Sequence, residues 1–519
     1  MTDNIYITGF MGAGKSTVGQ RLARLTRRRF VDMDEVLAGK FGLPIPEVFR
    51  RLGEETFRRA ETKLLKRLSR RRRIVAATGG GVPVSDENRR IMRASGRIAH
   101  LSVSLETCQR RLTAGEQDAR PLWQDETAVQ RLYEQRQEAY ADCDHGVKAD
   151  GLGPDEAAEE ILAGLYSFDP FTAVLGQDSC PVVPTFQGPK ALAGLTQGRR
   201  TALVTDRNVA RLHLDRYRRV LEPDVEIILP AGERGKTLNN ARRLYESLLE
   251  ASLDRGDLLV ALGGGMITDL GAFASATYKR GMDFALVSTS LLGCVDAAVG
   301  GKAGVNLGKA KNVVGAFTLP NLVVLDLLAL GTLPPKQIKE GLIEAYKTGL
   351  VAGPGLAALV EDELGPLLSG DLPAMARVAY LSAQTKAKVV AEDFRENGLR
   401  RILNLGHTYG HAIEGFYDYR VSHGRAVAVG MMAAVNISAA RRLLNKDLAA
   451  RINETIRAMV QRPVELPPLD QAWEIMKNDK KNRGGKILFV LLAEIGRPVC
   501  VEDVTPEELA GAAARLKGR

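Results

Sequence analysis

The chain has 519 residues, 45% hydrophobic and 26% charged, with a formal net charge of +10. Such a length implies roughly two to four domains with ample core, and the composition excludes a disordered or fibrous chain. No apolar run reaches the ~18 residues of a membrane span; the longest are cut by Asp269, Asp296 or Asp326. The five cysteines (Cys108, Cys143, Cys180, Cys294, Cys500) are scattered and never in C-x-x-C spacing. This argues against disulfides and a thiolate zinc site and for a reducing, cytoplasmic setting. The arginine runs Arg27–Arg29 and Arg70–Arg73 have no interleaved aromatics, so no nucleic-acid partner is expected. The basic balance suits small anionic substrates instead. With the first strand starting almost at Met1, neither a signal peptide nor a membrane partner is expected.

Asn4–Thr8 reads as a strand and Thr17 onward as a helix. Between them Gly9-Phe10-Met11-Gly12-Ala13-Gly14-Lys15-Ser16 fits G-x-x-x-x-G-K-[ST], the phosphate loop, in its required context. Gly12, Ala13, Gly14, Lys15, Ser16 and Thr17 are the expected nucleotide contacts. Their N–H groups can cradle phosphates, Lys15 can reach the β- and γ-phosphates, and Ser16 can hold Mg²⁺. Asp32-Met33-Asp34 follows a strand end; one carboxylate can assist Mg²⁺ while the other orients a hydroxyl. Then come Gly53-Glu54-Glu55-Thr56-Phe57-Arg58, a strand at Arg73–Thr78 leading into Thr78-Gly79-Gly80-Gly81, and a strand at Arg97–Leu101. Arg120-Pro121-Leu122 lies in a polar stretch suited to a lid, and Arg136 and Tyr140 share a helix.

This ordered set resembles shikimate kinase. The resemblance covers residues 1–166 and implies a P-loop fold, a parallel sheet with helices on both faces, that phosphorylates the 3-hydroxyl of shikimate with ATP and Mg²⁺. It implies that Ser16 and Asp32 serve the metal, that Arg120 is a lid arginine on ATP, and that Asp34, Arg58, Gly80 and Arg136 hold shikimate. Lys15 and Asp34 are the catalytic candidates, Asp34 as the orienting or general-base group.

Pro170, Gly176, Pro181 and Pro184 break helical periodicity, which places a linker at 167–180. Strand-like Thr201–Thr205, Glu226–Leu229 and Leu258–Leu262 follow, the last entering Gly263-Gly264-Gly265 and a helix. A pyrophosphate could sit at that helix start, although G-x-G-x-x-G is absent. From about Thr332 the strands are expected to stop and helices to dominate. Three of the six histidines, His407, His411 and His423, fall close together. By spacing alone His407 and His411 read as a zinc pair on one helix face. Cations and amides surround them: Arg280, Lys302, Asn306, Lys311, Asn312, Lys347, Lys386, Arg400, Asn404 and Lys480.

GERGK, ALGGGMITDLGAF, YKRG, CVDAAVGGKAGVN, KNVVGAF, GLIEAYK, GLRRILNLGHTYGHAIE, HGRAVAVG and NDKK occur in this order. From about 175 to 515 the chain is similar to 3-dehydroquinate synthase. The resemblance implies an α/β NAD-binding domain (181–331), an all-helical metal- and substrate-binding domain (332–519) and a homodimer through this half. It implies Zn²⁺ or Co²⁺ on Glu344, His407 and His423, with His411 an active-site base or hydrogen-bonding group rather than a ligand. NAD⁺ would contact Asp206, Glu233, Lys236, Gly264, Gly265, Asp269, Thr289, Ser290, Asp296, Lys302 and Lys311. Arg280, Lys347, Lys386, Arg400, Asn404 and Lys480 would be catalytic and Asn312 would bind substrate, 3-deoxy-D-arabino-heptulosonate 7-phosphate. The alternative is another sugar-phosphate cyclase, of the aminocyclitol type, acting on a different sugar phosphate. Arg425, where the family often carries glutamate, departs from the pattern beside His423.

Overall fold

The chain divides into two compact units, Met1–Ser167 and Phe168–Arg519, in a computed structural model that describes residues 3–112, 125–308, 310–396, 398–460, 463–477 and 487–517. In the first unit five strands, β1 (Asn4–Thr8), β2 (Arg29–Asp32), β3 (Ile74–Ala77), β4 (Gly96–Ser102) and β5 (His145–Lys148), form a parallel sheet in the order β2-β3-β1-β4-β5. The central strands NIYIT and IVAA are buried throughout, as expected where helices cover both faces of a parallel sheet. Four helices carry candidate residues: α1 (Lys15–Thr26), α2 (Met33–Phe41), α3 (Glu54–Ser69) and α4 (Glu126–Ala141). The lid stretch with Arg120 lies outside the described residues.

The second unit opens with a hairpin where the sequence suggests a linker. β6 (Phe171–Leu175) and β7 (Asp178–Thr185) pair antiparallel. β7 then pairs parallel with β14 (Leu322–Asp326) at one side of a sheet that also holds β8 (Thr201–Asp206), β9 (Val225–Leu229), β10 (Leu258–Gly263) and β11 (Asp283–Ser288). The order is β6-β7-β14-β11-β10-β8-β9. The chain leaves β8 toward β9 and returns to β10 on the other side. The crevice at the C-terminal ends of β8 and β10 is therefore a topological switch point, the place where open α/β sheets bind ligands. Helix α5 (Gly265–Thr277) starts there. The glycine-containing segments KAGVNL and AKNVVGAF form a separate antiparallel pair, β12 (Lys302–Leu307) and β13 (Ala310–Phe317).

Helices dominate after Thr332; those bearing candidate residues are α6 (Pro335–Ala352), α7 (Leu372–Glu392), α8 (His407–Phe416) and α9 (His423–Ala440). The expectation that strands stop here is corrected by β15 (Phe489–Glu494) and β16 (Arg497–Val501), an antiparallel hairpin whose turn uses Gly496 at φ 84°. The buried run Phe489–Leu492 packs on α9, where Ser438 Oγ accepts from Leu492 N at 3.0 Å. A short apolar run has no periodicity to separate it from a buried helix. No helix among the described residues is long and apolar enough to cross a membrane.

Candidate active sites

In the first unit the loop after β1 turns through Gly9, Gly12 and Gly14, all at positive φ (151°, 81° and 93°). A side chain at Gly12 would also strike the Cys108 carbonyl, its Cβ falling 2.6 Å from that oxygen. Gly14 caps α1, so the free N–H groups of the helix start face the loop. Lys15 Nζ donates to the carbonyls of Gly9 and Phe10, both at 2.9 Å. Ser16 Oγ donates to Asp32 Oδ2 at 2.5 Å, while Asp32 Oδ1 caps α2 by accepting from the N–H of Asp34 at 2.9 Å. Hydroxyl and carboxylate thus share one spot at the loop, the hard oxygen pair that Mg²⁺ favours.

The substrate candidates converge on Gly79–Gly81 beyond β3. A Cβ on Gly79 would lie 2.7 Å from Asp34 Oδ1, one on Gly80 3.2 Å from Arg136 Nη1, and one on Gly81 2.1 Å from Arg58 Nη1. The missing side chains let two arginines and a carboxylate lie close against this backbone. Sequence reading missed Glu61 on α3, which pairs with Arg58 at 2.6 Å and sits beside Asp34 across Gly79. Burial raises its pKa to about 7; Arg58 opposes this in part, and the Asp34 charge adds to it. The available signal was its place three residues after Arg58, on the same helix face.

In the second unit, α6, α8 and α9 bring Glu344, His407 and His423 together. Their donor atoms lie within 4.8 Å of one another. Glu344 Oε1 is 3.5 Å from His423 Nε2 and 3.9 Å from His407 Nε2, and that buried oxygen has no hydrogen-bond partner. One carboxylate and two imidazoles converging on an orphaned oxygen fit a catalytic zinc site, three protein ligands with a position left open. The pairing of His407 with His411 suggested by spacing is not what the fold assembles: His411 stands beside the trio, its ring 5.3 Å from that of His407. Burial and the Lys347 charge hold His407 neutral. Burial works against ionised Glu344 as well, but Lys347, with His423 beside it, outweighs this and keeps the carboxylate charged.

A charged cluster adjoins the trio. Lys347 pairs with Glu344 Oε2 at 2.5 Å, both fully buried on α6. Lys386 on α7 pairs with Asp296 at 2.6 Å. Burial disfavours the Asp296 anion, yet Lys386 and Lys347 hold it below the ordinary aspartate range. Arg400 Nη2 donates to the Gly300 carbonyl at 3.1 Å, and a Cβ on Gly300 would fall 3.6 Å from Lys386 Nζ. Glu396, missed in the sequence, accepts from Asn404 Nδ2 at 2.8 Å and pairs with Lys302. Its signal was an acid in the short turn between Lys386 and Arg400, which also holds Asp393.

At the switch point, a Cβ on Gly264 would come within 3.1 Å of Ser290 Oγ, and Thr289 N donates to the Gly263 carbonyl at 3.0 Å. Lys236 is paired with Asp269, and Asn306 links Glu233 Oε1 (3.2 Å) to the backbone N–H of Asn312 (3.0 Å). Asp206 caps the short turn after β8 through the N–H groups of Asn208 and Val209. The narrow glycine turn beside hydroxyls and a carboxylate at this crevice suits a dinucleotide.

Lys302 and Lys311, expected on the cofactor, form ion pairs with Glu396 and Glu414 of the helical region. Arg280 is exposed beyond the C-terminal end of α5, about 20 Å along the helix from Gly265 at 1.5 Å per residue. Lys480 lies outside the described residues. Arg425 turns away from the trio, Nη2 donating to the Pro463 carbonyl at 3.2 Å.

Comparison with known proteins agrees with this division. The shikimate kinase family model matches residues 11–166, and the models for the N-terminal and C-terminal parts of 3-dehydroquinate synthase match 226–340 and 341–482. A bifunctional shikimate kinase/3-dehydroquinate synthase from Thermotoga maritima is 32% identical over 512 residues, 97% of this chain and 99% of its own. A 3-dehydroquinate synthase from Rhizobium meliloti is 39% identical over 333 residues, 62% of this chain and 88% of its own. Among solved structures, ValA, a 2-epi-5-epi-valiolone synthase from Streptomyces hygroscopicus with NAD⁺ and Zn²⁺ bound, superposes with a TM-score of 0.61 at 27% identity, over 66% of this chain and 98% of its own. On these grounds the chain belongs to the bifunctional shikimate kinase/3-dehydroquinate synthase family.

Proposed function

We propose that residues 1–166 phosphorylate the 3-hydroxyl of shikimate and that the second unit converts 3-deoxy-D-arabino-heptulosonate 7-phosphate to 3-dehydroquinate and phosphate. In the kinase half the loop N–H groups and Lys15 hold the ATP phosphates, and Ser16 and Asp32 hold Mg²⁺. Arg58 and Arg136 clamp the shikimate carboxylate against Gly79–Gly81, which leaves Asp34 to accept the hydroxyl proton. Arg120 keeps its sequence-based role at the lid.

In the synthase half, 181–331 binds NAD⁺ at the Gly263–Gly265 turn and 332–519 binds zinc through Glu344, His407 and His423. When bound, NAD⁺ accepts and returns a hydride, and zinc polarises the hydroxyl that is oxidised. Lys347, Lys386 and Arg400 surround the site with fixed positive charge for the substrate phosphate and carboxylate. Asn312, Asn404 and Lys480 contribute polar contacts, and His411, beside the ligands but outside the trio, moves or holds a proton. The relatives from Thermotoga maritima and Rhizobium meliloti favour this substrate over those of the aminocyclitol cyclases. Five free cysteines fit a cytoplasmic enzyme, and the family resemblance supports a homodimer through the synthase half.

The observation that carries the synthase reading is the orphaned Glu344 Oε1 facing two histidine nitrogens. The test assays both reactions on one preparation. Lys15→Ala is expected to cut shikimate-dependent ADP release by about 10²–10³-fold and leave phosphate release from the heptulosonate phosphate intact. His407→Ala is expected to do the reverse and to lose bound zinc. If either folded variant loses both activities, the two-site reading fails.

A further inference from the structure

His423 uses its two ring nitrogens in different ways. Nε2 faces Glu344 Oε1 at 3.5 Å, and Nδ1 lies 3.2 Å from Glu414 Oε2. Glu414 is buried on α8, on the face that also presents His407 and His411, since positions 407, 411 and 414 follow the helical repeat. Its second oxygen, Oε1, is taken by Lys311 Nζ at 3.0 Å. Lys311 comes from β13 and also lies 4.1 Å over the Tyr419 ring. A continuous chain therefore runs from the β12–β13 pair through Lys311 and Glu414 to His423.

We propose that Glu414 is a positioning residue of the metal centre. By accepting the Nδ1 proton it fixes the His423 tautomer and ring, so that the Nε2 lone pair faces the space shared with Glu344 and His407. Lys311 in turn fixes the carboxylate. Metal-bound histidines commonly donate their other nitrogen to such a carboxylate, which orients the ring and raises its basicity. His411, Glu414 and His423 also lie close enough to hold an ion themselves. Glu414 is not assigned as a ligand, because both of its oxygens are engaged, one by His423 and one by Lys311.

This proposal rests on the reading of Glu344, His407 and His423 as the zinc ligands, and the two can fail separately. The experiment strips the full chain of metal and titrates it with zinc against a chromophoric chelator, without substrate or NAD⁺. Wild type is expected to bind zinc and His407→Ala to lose it; the absence of zinc binding in wild type overturns the underlying reading. Glu414→Gln is expected to weaken zinc binding by about 10–100-fold, and Lys311→Met by a smaller factor. With cobalt in place of zinc, Glu414→Gln is expected to keep the wild-type absorption intensity, because the ligands remain. Unchanged zinc affinity in Glu414→Gln overturns the positioning role, and so does a cobalt spectrum reporting a lost ligand. Should metal-free Glu414→Gln not melt as a folded protein, Lys311→Met decides alone, and wild-type zinc affinity in it overturns the proposal.

Discussion

The two units solve the recognition of anions in opposite ways. The kinase site is made largely of backbone: glycines at positive φ, helix-start N–H groups, and a Gly79–Gly81 turn against which side chains close. The synthase site is made of paired charge, fully buried for Lys347 on Glu344 and partly buried for Lys386 on Asp296, drawn from segments far apart in sequence. Backbone donors require no desolvated countercharge. Buried ion pairs do, and each is held only as long as its partner stays. Removing one partner of a buried pair should therefore hurt stability in the second unit, whereas removing a phosphate-loop side chain such as Lys15 should hurt mainly turnover in the first.

The largest contrast is expected at Lys347. Lys347→Met leaves buried Glu344 without its lysine partner and with only the histidine side to offset its charge, which should destabilise the metal-free second unit by about 3–5 kcal/mol. Added zinc should restore much of this, because the metal replaces the missing cation. Urea melts with and without zinc measure it. Equal losses in both conditions would mean that Glu344 does not face the metal.

Glu396→Gln comes next. It removes the charge that Lys302 and Asn404 share. Hydrogen bonds to charged groups contribute about 1.5–3 kcal/mol, so kcat/KM for the synthase reaction should fall roughly 10–100-fold, with kinase turnover unchanged. A variant with wild-type kcat/KM would remove Glu396 from the site.

Glu61 tests the first unit by pH. Its folded pKa is about 7 against an ordinary 4.5, so the folded state binds the proton more tightly than the unfolded state does. That contribution is fully present below pH 4.5 and is lost as pH rises through 7. It should amount to about 1–3 kcal/mol. The urea midpoint for loss of shikimate kinase activity should therefore drop between pH 5 and 8 in wild type and drop less in Glu61→Gln. Parallel pH dependence in the two proteins would assign the effect to other groups.

The same contrast explains what was legible in the sequence. The phosphate loop is contiguous, because one strand, one turn and one helix start build it, and its spacing alone locates Lys15 and Ser16. The zinc trio is not contiguous. Spacing favoured His407 with His411, one turn apart, whereas the partner of His407 is Glu344, 63 residues earlier on another helix. Only the family resemblance supplied that pairing. Glu61, Glu396 and Glu414 were missed for a related reason. Each is an ordinary acid by sequence, distinguished by a burial and a partner that the fold alone creates. The β12–β13 and β15–β16 hairpins escaped because glycine-containing or short apolar segments carry no clear period.

The smallest effect is expected at Arg425, which the sequence singles out because it stands two residues from His423. Proximity along a helix is not proximity in space: residues two apart point to different faces. The guanidinium accordingly turns to the Pro463 carbonyl, at 3.2 Å, and not to the ligand atoms. Arg425→Gln keeps a donor for that carbonyl and removes the charge. Substitutions of this kind usually stay within about 0.5 kcal/mol, so zinc affinity and kcat/KM should each change by less than about threefold. A tenfold change in kcat/KM at constant zinc affinity would place Arg425 against the substrate. A change in zinc affinity would instead mean that its charge acts through α9 on His423. Either result would extend to this residue the buried-charge logic that separates the second unit from the first.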